Sequence, residues 1–251
     1  MLIRDFINQW KETLFVNVKP QTIKNYNYLL KIIDTQFGDQ AVENITVETM
    51  AKYLITQPSS KQYYVIKMLE MMFRAAYFKG IRFDNPSKLL IKPKQKRARP
   101  RLTAQDLEKV YELADTQLKN YIKLARITAQ RPQDILNLKN VHEIKDNTLH
   151  IKQNKTGNTV DLVIGEALGS ALSGRFNLPP SVDVASRQFT GIMRQLKPNQ
   201  PTPTLYEIRS LGLIEHEQRG GNPQALAGHS RSMQTLTYLR GHDVTKKVQS
   251  I

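Results

Sequence analysis

Between Ile91 and Arg101 the chain reads IKPKQKRARPR, six basic residues and two prolines with no acid among them. Proline locks φ and removes a backbone donor, and clustered like charges repel, so neither helix nor strand runs comfortably through this stretch. The chain is therefore expected to fold as two bodies joined by an extended basic tether. Expected limits are residues 1–91, a linker at 92–101, and residues 102–251. The tether is either a solvated connector or a segment that follows a polyanion between two binding domains.

Charge favours the polyanion. Lys and Arg outnumber Asp and Glu by 37 to 22, a net +15 over 251 residues, and the excess is spread along the chain rather than held in one tail. A basic membrane-surface protein would carry an amphipathic helix with Lys and Arg along one face, and no segment shows it cleanly. No apolar run approaches ~18 residues, and the opening MLIRDFINQW has an acid where a signal peptide has its hydrophobic stretch. A cytoplasmic protein without membrane contact is expected. There is no cysteine, and the five histidines (His142, His150, His216, His229, His242) lack ligand spacing. Neither a dedicated metal site nor a cofactor is expected.

The first ninety residues read as helices. Leu2, Phe6, Ile7, Trp10 and Leu14 recur near a period of 3.6, TIKNYNYLLKIIDTQFG closes on Gly38, and TVETMAKYLI follows. In SKQYYVIKMLEMMFRAAYFKG, Val65, Met68, Leu69, Met72, Ala75 and Ala76 form one stripe, and Gly80 stops the helix. These methionines read as core filler.

The second half holds the chemistry. Thr103 caps a helix, with Asp106 completing a variant capping box. In LARITAQRPQDILNLKNV, Leu124, Ile127, Ile135 and Leu138 frame a polar break at Gln130-Arg131-Pro132. Pro132 suits a first helical turn, which sets Arg131 beside a helix start, well placed to hold phosphate. NTLHIKQNKTGNTVDLVI alternates on both sides of a Lys-Thr-Gly-Asn turn, a β-hairpin with Lys155 at its tip. After a helix in SVDVASRQFTGIMRQLK, a further helix begins near Thr204 and sets Tyr206 and Arg209 on neighbouring surface. RGGNPQALAGHS reads as loop, short helix and turn, and a last helix from Ser230 to Leu239 carries Tyr238. Each residue alone has an ordinary explanation as solvated surface. The ordered set does not.

That set resembles the catalytic domain of the tyrosine recombinases, the phage-type integrases. Arg131-Pro132-Gln133-Asp134-Ile135 matches the family's first-arginine motif, Lys155 its hairpin lysine, Arg209 its His-x-x-Arg box, Ala227-Gly228-His229 its Leu-Gly-His turn, and Tyr238 its nucleophile. The first half resembles the family's helical core-binding domain. Tyr206 stands where the family usually has histidine, and Ser210 where a second histidine often follows the arginine.

The resemblance implies a mainly α protein with a small β-sheet, an α+β chain of a helical core-binding domain and a catalytic domain forming a C-shaped clamp on double-stranded DNA. It implies that Tyr238 attacks a phosphodiester to give a 3′-phosphotyrosyl bond. Arg131 and Arg209 would clamp the non-bridging oxygens, His229 and Tyr206 would hydrogen-bond the same phosphate, and Lys155 would protonate the leaving 5′-oxygen. One ester replaces another, so no ATP is needed. A site-specific recombinase, monomeric when free and tetrameric on DNA, is the expected function. A type IB topoisomerase-like nicking-closing enzyme and a DNA-binding regulator without catalysis are the alternatives. The chain starts at the core-binding domain, so an arm-binding domain is not expected. The short tail after Tyr238, with Val244, Val248 and Ile251 on one stripe, is expected to dock onto a neighbouring protomer.

Overall fold

The computed structural model describes residues 1–94, 100–140, 144–229 and 235. The chain divides into two compact units, Met1–Arg97 and Ala98–Ile251. In both, regular structure is mostly helical.

The first unit contains α1 (Ile3–Leu14), α2 (Pro20–Phe37), α3 (Val47–Leu54) and α4 (Ser59–Phe78). Pro20 opens α2, where its missing N–H would have had no helical partner anyway. The Thr46 hydroxyl accepts from the Thr49 N–H and caps α3. Phe6, Ile7 and Trp10 of α1 pack with Leu30, Ile33 and Phe37 of α2 and with the α4 stripe of Val65, Met68, Leu69, Met72 and Ala76. Met50, Met68 and Met72 are all fully enclosed, as core filler should be.

Both described ends of the basic tether are tied down. Lys92 Nζ lies 2.7 Å from Glu70 Oε2 on α4. At the other end, Arg101 Nη1 donates to Glu207 Oε2 at 3.2 Å. These cations are thus partly committed to carboxylates of their own unit. Lys96, Arg97 and Arg99 lie outside the described residues.

The second unit runs α5 (Ala104–Leu113), α6 (Thr116–Thr128), α7 (Pro132–Asn137), β1 (Ile144–Lys145), β2 (Thr148–Lys152), β3 (Thr159–Val163), α8 (Glu166–Ser173), α9 (Val182–Leu196), α10 (Tyr206–Gln218) and α11 (Pro223–Ala227). The expected capping at Thr103 is present: its hydroxyl accepts from the Asp106 N–H at 3.1 Å. The Asp106 carboxylate is also held from α9, by Lys197 Nζ at 2.8 Å. The strands form one antiparallel sheet in the order β1-β2-β3, with Leu149 opposite Leu162 and Ile151 opposite Val160. β1 and α8 are additions to the elements read from periodicity. Ile127, expected to frame the polar break, is over a third exposed and lies off the core.

The core of this unit is built around α6, whose Leu118, Tyr121, Ile122, Leu124 and Ala125 pack with residues of α5, α8, α9 and α10. α10 lies directly against α6. A Cβ on Gly212 would fall 2.3 Å from the Arg126 carbonyl oxygen, so the two backbones touch where only glycine fits. That contact, together with the Arg101–Glu207 pair at the first turn of α10, sets the rotation of the helix carrying Arg209.

Candidate active site

α6 stops because Ala129 turns left-handed, at φ 48°. The chain then passes through Gln130 and Arg131 before Pro132 starts α7, so Arg131 is the residue immediately preceding that helix. Its Nη1 donates to Gln153 Oε1 at 2.7 Å and lies 3.9 Å from Asp134 Oδ2. The other Asp134 oxygen accepts from the Asn154 N–H at 2.9 Å, which ties α7 to the residue before Lys155.

The β2–β3 hairpin forms as its alternation dictates, and Lys155 is exposed in the connecting turn. The turn is closed by the Gly157 N–H to the Gln153 carbonyl and the Gln153 N–H to the Asn158 carbonyl, both at 2.8 Å.

α11 ends on Gly228, which is left-handed at φ 62°. Any side chain there would be strained, and a Cβ would also lie 2.7 Å from both Gln153 Nε2 and Val160 Cγ2. Glycine is therefore required twice over in the turn that delivers His229. The Gly228 carbonyl is held by Asn158 Nδ2 at 3.0 Å, joining this turn to the hairpin.

Arg209 is 1% exposed. Its Nη2 donates to the Ala227 carbonyl at 2.9 Å and lies 3.2 Å from His229 Nε2. Tyr206, by contrast, is 41% exposed at the start of α10. The expectation that Tyr206 and Arg209 share neighbouring surface is thereby corrected: helical spacing sets them one turn apart, but packing against α6 and α11 buries only the arginine. Ser210, at the other departure from the family pattern, is also buried.

An arginine can only donate, so His229 Nε2 is the acceptor in its contact with Arg209. The proton of the neutral ring then resides on Nδ1, which donates to Thr235 Oγ1 at 3.0 Å. Burial first, then Arg209 and Arg131, lower the His229 pKa from 6.5 to about 4. At neutral pH the site therefore holds an uncharged imidazole between two guanidinium cations. An NMR titration of the free protein should show the His229 ring changing charge near pH 4, and a midpoint near 6.5 would refute the buried arrangement. The linkage has a definite sign. Between pH 6.5 and 4 the unfolded chain binds a proton at His229 that the folded chain does not, so this residue's contribution to stability falls as pH drops through that window.

The structure thus gathers Arg131, Arg209 and His229 and joins them to the base of the hairpin that carries Lys155. Lys155 and Tyr206 occupy the surface around this buried floor. Tyr238, most of the helix expected to carry it, and the tail beyond lie outside the described residues. Sequence reading missed Gln130 and Gln153, 1% and 0% exposed. A signal was present for the second: Leu149, Ile151 and Gln153 share one face of the hairpin strand at a spacing of two, so a glutamine stands where the pattern calls for an apolar residue.

A buried Arg209 and a partly buried Arg131 beside a neutral histidine, on a helical unit with a small antiparallel sheet, form a cationic site whose chemistry suits an anion. Residues 2–55, in the first unit, match the family model described as the phage integrase N-terminal SAM-like domain. The integrase of Escherichia phage HK022 is 24% identical over 252 residues, covering 88% of this chain and 70% of that one. Among solved structures, a lambda integrase dimer bound to a COC′ core site matches with a TM-score of 0.86 at 24% identity, covering all of this chain and 80% of that one. A lambda integrase tetramer bound to a Holliday junction matches with a TM-score of 0.82 at 23% identity, covering 92% and 78%. In its first unit the chain thus matches the phage integrase N-terminal SAM-like domain, and along nearly its whole length it is similar in sequence and fold to phage integrases.

Proposed function

We propose that this protein cuts and rejoins double-stranded DNA at specific sites, integrating or excising a mobile element through a 3′-phosphotyrosyl intermediate. The observation that carries the reading is the meeting of Arg131, Arg209 and a neutral His229 over the Ala227-Gly228 turn. Charge develops on the non-bridging oxygens as the phosphorus becomes five-coordinate, and two guanidinium groups already held in place stabilise it without reorganisation. In this reading Tyr238 is the nucleophile, and Lys155, on the hairpin turn, delivers the proton to the leaving 5′-oxygen. Tyr206 takes the place of a histidine as a neutral donor to the phosphate, since a phenol with a pKa near ~10 is not a base at neutral pH.

His229 adds a coupling. Burial, and after it the two arginine charges, holds the imidazole neutral; an arriving phosphate offsets the arginine part and so acts to raise the ring's affinity for a proton.

Residues 1–91 act as the core-binding domain, 92–101 as the linker and 102–251 as the catalytic domain, working in the bacterial cytoplasm as a monomer that assembles to a tetramer on DNA. The lambda relative seen as a tetramer on a Holliday junction supports this assembly. Among the described residues no helix is long and apolar enough to cross a membrane. The test is to incubate the protein with a nicked duplex cut from the ends of the encoding element, so that the severed strand diffuses away after cleavage. A covalent protein–DNA adduct is expected, followed by exchange between two such sites when intact duplexes are supplied. Failure to form an adduct would leave a DNA-binding protein without chemistry, and an adduct without exchange would leave a nicking-closing enzyme.

A further inference from the structure

We propose that Gln153, braced by Gln130, is the positioning residue that aims Arg131 at the scissile phosphate and sets the register between that arginine, the lysine hairpin and the His229 turn. The proposal rests on the reading of Arg131 as a phosphate-binding residue. Gln153 is fully enclosed, and every hydrogen-bonding position of its amide is used. Its Oε1 accepts from Arg131 Nη1 at 2.7 Å and from Thr156 Oγ1 at 2.9 Å. Its Nε2 donates to Gln130 Oε1 at 2.7 Å and to the Ala227 carbonyl at 2.9 Å. Gln130 Nε2 donates in turn to the Leu226 and Thr128 carbonyls, at 2.7 and 2.9 Å. Backbone carbonyls can only accept, so both amides have a single orientation, and the oxygen of Gln153 is forced toward Arg131.

The connections reach each part of the site. Ala227 O receives both Gln153 Nε2 and Arg209 Nη2, so the two arginines are referred to one carbonyl. Thr156, the neighbour of Lys155, donates into the same amide oxygen, and the Gln153 backbone closes the hairpin turn. Movement of any one of these three segments is therefore felt by the other two.

An amide suits the role for a reason of charge. A carboxylate in its place would hold Arg131 as well, but it would neutralise the cation that the phosphate needs and point an oxygen at two other acceptors, Gln130 Oε1 and Ala227 O. Gln153 fixes the guanidinium without adding a second carboxylate to the Asp134 oxygen that already lies 3.9 Å from it.

The experiment uses full-length protein and the nicked duplex described above. Gln153→Met keeps length and shape while removing every amide bond. It should lower the single-turnover cleavage rate by on the order of 10- to 100-fold, with affinity for the duplex unchanged within about threefold. In an Arg131→Ala background the same change should cost less than about threefold, because a positioning residue has nothing left to position. Arginine side-chain NMR gives a readout independent of rate: the Arg131 Nη signals should be separate in the wild type, where one nitrogen is held, and averaged in Gln153→Met. If Gln153→Met does not fold, as judged by thermal unfolding, Gln130→Met leaves the Arg131 bond in place, loosens only the brace, and is read by the cleavage rate in the two backgrounds, the Nη comparison being kept for Gln153→Met alone. Wild-type cleavage, an equal loss in both backgrounds, or unaltered Nη signals would overturn the proposal. Arg131→Ala cleaving at the wild-type rate would instead overturn the underlying reading of the site, so the two failures are distinguishable.

Discussion

Tyr238→Phe is expected to abolish covalent attachment to DNA while leaving binding intact. The substitution removes one oxygen atom and keeps the ring, so any packing of the aromatic side chain is retained and only the proposed nucleophile is lost. Binding of a polyanion is dominated by cations contacting its phosphates, and the net charge of +15 is untouched, so affinity and its salt dependence should match the wild type. The wild type should accumulate adduct on the nicked duplex and the variant should accumulate none, even over hours. The neighbouring Arg131, Arg209 and His229 cannot substitute, because none offers an oxygen nucleophile that could be ejected again in the rejoining step. A variant that still became attached to DNA would remove Tyr238 from the reaction. Loss of binding together with attachment would show instead that the side chain is needed to fold or dock its segment.

Arg209→Ala carries the second large effect, and it is visible in two measurements. The first is rate. Removing a fixed cation from a water-excluded oxyanion site costs about 10²- to 10³-fold in cleavage. The second is the titration of His229. Arg209 is the larger of the two cationic influences that hold that imidazole neutral, so its loss must raise the midpoint from about 4 toward the ordinary histidine value. The Ala227 carbonyl would still be satisfied by Gln153 Nε2, so the turn should survive the substitution. The vacated volume destabilises the fold, whereas relief of a buried charge acts in the opposite direction, and thermal unfolding should therefore report a modest net change. A cleavage rate within threefold of wild type and an unmoved His229 midpoint would together exclude Arg209 from the site.

How far these residues could be read in advance depended on the range of the forces that place them. Arg131 was legible because Pro132 can occupy only a narrow set of backbone conformations and announces a helix start beside it. Lys155 was legible because alternating Leu149, Ile151 and Val160, Leu162 can bury one face only by pairing across a turn. The Gly228 turn was legible from a residue that tolerates positive φ. Arg209 was found by motif, yet its burial was not foreseen, since helical spacing locates a side chain around the axis without saying which face a distant segment will cover. Gln153 lay in plain view on an apolar register and was passed over, because its meaning depends on Ala227, remote in sequence.

The sequence by itself determined two bodies divided by a proline-bearing basic tether, most of the helices of each, the cap at Thr103, one hairpin, a large excess of positive charge, and the order of residues that match the tyrosine recombinase motifs. Each of these follows from interactions spanning a few residues or from composition, and such interactions survive whatever the rest of the chain does. Only the tertiary structure decided that Tyr206 is exposed while Arg209 is enclosed, that His229 stays neutral, and that two glutamines tie Arg131 to the hairpin and the α11 turn. Those are matters of desolvation and of charges brought close through space, both set by segments tens of residues apart along the chain, whose meeting no local pattern records.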